Sequence, residues 1–103
     1  MNAQRGRSVR VTEQFFAQLD GQLGPDRSDD GSPSATDFLV FDLPPVVERF
    51  ATGFDSLPEV IDGFPAARML IAGGLMVRTL LVYGLLVDTD TIELVGLDLD
   101  LSW

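Results

Sequence analysis

Apolar residues gather in three short runs over the last third of the chain, Arg68 to Leu101, parted by Ala72-Gly73-Gly74 and by Asp88-Thr89-Asp90. Short apolar runs bounded by turn residues are the pattern of consecutive antiparallel strands. The spacing predicts strands over Arg68–Ala72, Met76–Val87 and Thr91–Leu101. In the last of these, Ile92 and Leu94 share one parity, whereas Leu97, Leu99 and Leu101 share the other. A strand of period two changes face only by gaining a residue, so a bulge is expected near Val95-Gly96, with Asp98 and Asp100 facing one side together. The middle strand is apolar at both parities: Thr79, Leu81, Tyr83 and Leu85 on one, Leu80, Val82 and Leu86 on the other. Such a strand calls for cover on both faces. Met69 to Val87 is also close to the length of a membrane span. Arg78 at its centre, with Gly73-Gly74 and Gly84, favours strands over a span.

Upstream, Ser8–Val11 alternates and reads as a first strand. Thr12 is placed to cap a helix from Glu13 to Leu23, with Glu13 at the favourable end of the helix dipole. Phe15, Phe16, Leu19 and Leu23 fall on one helical face, Val11 and Phe16 sit at the positions of a hydrophobic staple, and Gly24-Pro25 is a stop. Pro25–Ser34 is polar and turn-rich, and is expected to be a mobile loop. Its Asp26, Asp29 and Asp30 lack the order of a calcium loop, so a solvated loop is the expectation. Ser34 and Asp37 have capping-box spacing. The run after them, Asp37–Phe41, suits a helix or a strand, and the cap favours a helix. Pro44-Pro45 restarts a helix whose apolar face is Val46, Val47, Phe50, Phe54 and Leu57. Gly53 weakens it by roughly 1 kcal/mol, and Pro58 ends it. Residues 59–67 form a loop into the sheet.

The whole of 1–103 is therefore expected to be one α+β domain, with four strands in a small, mainly antiparallel sheet and helices on one face. Hydrophobic residues make up 46% of the chain, enough for its core. Cysteine and histidine are absent, which removes thiolate metal sites and the commonest general base. No cofactor and no metal are expected. Net charge is −9, and residues 1–10 carry three arginines without an acid, leaving −12 on the remainder. Residues 1–7 are expected to be a flexible, arginine-rich tail; without an apolar core it does not read as a secretory signal, and a cytoplasmic protein is the default. The acidic body repels nucleic acid and favours a basic partner.

The order strand, helix, helical segments and three strands resembles the RelE/ParE superfamily of small bacterial toxins. The residues behind the resemblance are Val9-Arg10-Val11-Thr12-Glu13-Gln14-Phe15-Phe16, Leu57-Pro58 before the sheet, Arg68-Met69-Leu70-Ile71, Val77-Arg78 with Val82-Tyr83, and Asp90-Thr91-Ile92-Glu93-Leu94. It covers nearly the whole chain, through topology and apolar pattern more than through a specific motif. It implies a compact domain whose open sheet face does the work and a cognate antitoxin that wraps it. RelE-like members cut mRNA on the ribosome; ParE-like members block DNA gyrase.

Cleavage of that kind calls for cations that hold phosphate and a residue that moves a proton. Only Arg68, Arg78 and Tyr83 lie on matching strands, and lysine is absent. Asp98 and Asp100 stand where a base or cation would be expected, and negative charge there opposes phosphate. The plainer readings are a strand-start surface residue for Arg68, a core aromatic for Tyr83, and strand carboxylates that discourage edge pairing for Asp98 and Asp100. Binding is thus the expected mode of action, through an antitoxin or self-association by the sheet face, with nucleic acid engaged only indirectly. An acidic interaction module that shares the fold without toxicity is the alternative.

Overall fold

The computed structural model describes residues 6–24 and 33–100. The elements run β1 (Ser8–Val11), α1 (Glu13–Gln22), α2 (Ala35–Asp37), a π-helical segment (Phe38–Asp42), α3 (Leu43–Gly53), a 3-10 turn (Phe54–Ser56), β2 (Ala67–Ala72), β3 (Thr79–Asp88) and β4 (Thr91–Asp100). The fold is α+β. Its four strands form one sheet in the order β1-β4-β3-β2. β2, β3 and β4 are a meander of antiparallel neighbours. β1 joins beside β4 and parallel to it, so the sheet is mixed.

The local signals explain most boundaries. Thr12 caps α1, its Oγ1 accepting from Phe15 N, while its hydroxyl donates to Leu94 O at 2.8 Å and ties the helix start to β4. Ser34 and Asp37 close a reciprocal capping box, and Ala35 N donates to Gly24 O. Pro33 and Ser34, expected in a mobile loop, are thereby buried; the loop's three aspartates lie outside the described residues. Arg7, expected in a flexible tail, donates its backbone N–H to Ala51 O and pairs with Asp55. The ambiguous run after Asp37 is helical, but wound as a π segment.

α1 and its C-cap bury Phe15, Leu19 and Leu23, and α3 and the 3-10 turn bury Val46, Phe50 and Phe54, against Leu80, Val82, Ile92, Leu94 and Leu97 of the sheet. Phe16 stays 39% exposed, its ring edge-on to Phe15, because the buried stripe runs through residues 15, 19 and 23. β4 changes face at the expected place. Tyr83 pairs Gly96 and Gly84 pairs Leu94, leaving Val95 as the extra residue.

β3 begins at Thr79 rather than Met76. The reason lies in the π segment. The buried Asp42 carboxylate accepts from the backbone N–H of Leu75 (2.6 Å), Met76 (3.0 Å to the nearer oxygen) and Val77 (3.2 Å). Backbone donors held by a side chain are unavailable to a ladder.

Both sheet edges are partly occupied by the chain itself. Beyond the end of β1, Gln18 Oε1 and Gln22 Oε1 of α1 accept from Leu97 N and Leu99 N, both at 2.7 Å, and Gln22 Nε2 donates to Leu97 O. Two glutamines one helical turn apart thus stand in for a missing strand. At the other edge, Met69 N donates to Pro58 O and Val60 N to Ala67 O.

Candidate functional site

The ladder sets which residues share a face. Arg68 pairs Gly84, Leu70 pairs Val82 and Ala72 pairs Leu80, and these belong to the helix-covered side. Met69 pairs Tyr83 and Ile71 pairs Leu81; Leu81 in turn faces Asp98 and Leu85 faces Glu93. This second set forms the face left open among the described residues, since α1 and α3 pack against the other. Its centre is apolar: Met69, Ile71, Leu81, Tyr83 and Leu85, with Ile71 62% exposed. Tyr83 lies across Gly96, where a Cβ would stand 2.8 Å from Tyr83 Cδ2. The glycine lets the ring lie flat along the sheet.

Charge lies at the border of that face. Arg10 of β1 is ion-paired with Glu93 across the strand pair. Asp98 and Asp100, exposed, extend along β4 opposite Leu81 and Thr79. At the β3–β4 turn, the Asp90 backbone N–H donates to Asp88 Oδ1 at 2.9 Å and holds that carboxyl below its usual range.

The three residues singled out for cleavage chemistry do not converge. Arg68 turns to the helix side. Its Nη1 donates to Asp55 O (3.0 Å) and Leu57 O (2.8 Å), its Nε to Pro65 O (2.7 Å), and its guanidinium lies 5.5 Å from the Phe54 ring centroid. Planar and multiply bonded, it pins the segment leading into β2. Tyr83 is on the opposite face. Arg78 is exposed in the turn preceding β3. Among the described residues, no group of three or more carboxylates is placed to hold a metal ion, and no helix is long and apolar enough to cross a membrane.

Periodicity did not disclose a second feature. A pocket of about 240 Å³ lies between α3 with the π segment and the end of β2, walled by Phe41, Val46, Leu70, Ala72, Leu75 and Leu80. Asp42 and Arg49, about two helical turns apart, are its charged lining residues. The sequence holds two signals for it: a lone acid inside the apolar run Phe38–Val47, and the paired glycines 73 and 74. A Cβ at Gly74 would meet Asp42 Oδ2 at 2.8 Å, so the loop closes only over glycine. The chain matches no family model, no curated protein and no solved structure.

Proposed function

We propose that this chain is a RelE/ParE-like toxin-family protein that acts by binding another protein through the open face of its sheet, with a cognate antitoxin among its partners. The observation that carries the reading is the apolar strip Met69, Ile71, Leu81, Tyr83 and Leu85 on the face opposite the described helices, with Ile71 exposed and the others half-buried. Contiguous apolar surface with a polar border is the usual form of a protein interaction site. The partly occupied edges favour the face over strand addition as the route of binding. Cleavage of RNA is the weaker mode, because Arg68 and Tyr83 lie on opposite faces and Asp98 and Asp100 oppose phosphate. The net charge of −9 and the acidic border favour a second reading, a non-toxic interaction module for a basic partner.

Induced bacterial expression separates these readings. The wild-type chain is expected to arrest growth alone and to be tolerated when the small protein of an adjacent gene is co-expressed. Leu81→Asp, which puts a charge in the strip without entering the core, is expected to relieve the arrest at unchanged protein level. Arg78→Ala is expected to leave it intact. No arrest from wild type would favour the module. Codon-specific mRNA cuts by purified protein on ribosomes, reduced on the order of 10² or more by Arg78→Ala, would establish the cleaving mode instead.

A further inference from the structure

The open face carries its charge unevenly. Of the paired strand residues, Asp88, Glu93, Asp98 and Asp100 lie on this side against a single arginine, Arg10. Arg10 is committed to Glu93 across the β1–β4 pair. Asp98 and Asp100 stand toward the other end of β4, both exposed, directly across from Leu81 and Thr79. Arg78 precedes Thr79 in the turn before β3, at the Asp100 end of the row, so Asp98 is the carboxylate set against the apolar strip itself. The strip occupies β2 and β3, and the acidic row runs one strand away from it on β4.

This layout selects an occupant. The strip offers apolar side chains and no backbone partners, so an extended segment laid on it would leave its own N–H and C=O groups unpaired. A helix satisfies its own. A helix is about 10 Å across, or two strand spacings of about 4.8 Å. One lying along β3 therefore meets β2 on one flank and β4 on the other. Asp98 and Asp100 are about 7 Å apart along β4, and residues at i and i+4 of a helix are about 6 Å apart. A second copy of this chain brings the same acidic row and an arginine already paired, so it meets like charge. We propose that the open face receives an amphipathic helix of another protein, with its apolar stripe on Met69, Ile71, Leu81 and Tyr83 and an arginine or lysine pair at i and i+4 over Asp98 and Asp100. The proposal rests on the binding reading given above, and it adds the element by which the partner makes contact and the sign of its charge.

The test uses the full chain and three helical peptides: one with a leucine stripe flanked by arginines at i and i+4, one with those arginines replaced by glutamates, and one with the leucines replaced by serines. Binding is followed by fluorescence anisotropy and by backbone amide shifts. At low ionic strength the leucine–arginine peptide is expected to bind at least about tenfold tighter than either control and to shift Leu81, Tyr83 and Asp98. Its lead over the glutamate peptide is expected to shrink in about 1 M salt, as exposed charge pairs do. Asp98→Lys/Asp100→Lys, at two exposed positions, is expected to reverse the preference in favour of the glutamate peptide. Asp20→Lys/Glu48→Lys, the same change of charge at exposed positions on α1 and α3, is expected to leave the preference as in wild type. Leu81→Asp is expected to abolish binding. An equal response to the two lysine pairs would show that only net charge is sensed and would overturn the proposal. So would absence of binding, equal binding of the arginine and glutamate peptides, or shifts confined to Phe41 and Leu75. Loss of binding in Leu81→Asp with the preference untouched by Asp98→Lys/Asp100→Lys would remove the basic flank and leave the open-face reading standing. Binding untouched by Leu81→Asp would count against both, and a wild-type dimer that takes up no peptide would assign the face to a second copy.

Discussion

Gly84→Leu is expected to destabilise the fold by about 3 kcal/mol or more, the upper part of the range for overpacking a core. Gly84 is buried on the helix side of β3, directly beneath Phe50 of α3. A Cβ there would stand 2.8 Å from Phe50 Cδ1 and closer still to Cε1. The ring has little room to retreat. It is fully buried, and Phe54 lies beside it with ring centroids 6.3 Å apart. Relief requires lifting α3 from the sheet, which would also strip Val46 and Phe54 from their contacts. In a domain near this size, 1 kcal/mol corresponds to about 4–8 °C in Tm. A thermal melt followed by circular dichroism should therefore fall by more than 10 °C on that scale. A fall of only a degree or two would show that α3 does not sit where Phe50 places it.

The second large effect is expected at Asp42. The carboxylate is 3% exposed and serves three successive backbone donors, at Leu75, Met76 and Val77. Asp42→Ala removes the acceptors and leaves partly buried N–H groups without partners. Hydrogen bonds to charged groups contribute about 1.5–3 kcal/mol each and are not additive, so a loss of about 3 kcal/mol or more is expected. Asp42→Asn is the more discriminating variant. It keeps one acceptor oxygen but turns an NH₂ group toward backbone donors, so its loss should lie closer to that of alanine than to wild type. Amide exchange adds a spatial check. Residues 74–78 should lose protection well before the paired centre of β3 and β4. Stability within about 0.5 kcal/mol of wild type, the range of ordinary surface changes, would rule out the carboxylate as the strut of this loop.

Much of the fold was legible because its signals are local. Thr12, Ser34 and Asp37 announce helix starts through residues three positions away. The parity change between Leu94 and Leu97 locates the bulge, since period two allows no other account. What could not be read depends on distant partners. Met76 and Val77 look like strand residues until Asp42, more than thirty positions earlier, takes their donors. The alternation of β1 against an otherwise antiparallel meander does not say that β1 runs parallel to β4.

The candidate site was legible only in part. The two hydrophobic parities of β3 call for cover on both faces, and the described helices pack on one of them. By sequence Arg68 reads as a candidate phosphate-binding cation or a strand-start surface residue, and its hydrogen-bond partners are not visible there. Its strand parity puts it on the helix side, and the carbonyls of Asp55, Leu57 and Pro65 that hold it come from a segment without any regular pattern. The pocket escaped notice because its walls come from α3, the π segment and β2, and no single stretch carries its outline.

The central claim is that the open face is an unsatisfied apolar surface available to a partner. Its most direct test is light scattering at micromolar concentration with parallel titration of an apolar dye, on purified wild-type protein and on the Ile71→Asp/Leu81→Asp double variant. Wild type is expected either to bind the dye as a monomer or to scatter as a larger species that hides the face. The double variant, with circular dichroism unchanged, is expected to be monomeric and to bind markedly less dye than monomeric wild type, the remaining signal coming from apolar surface off this face such as Phe41 and Leu75. A wild-type protein that is already a dye-silent monomer would contradict the account.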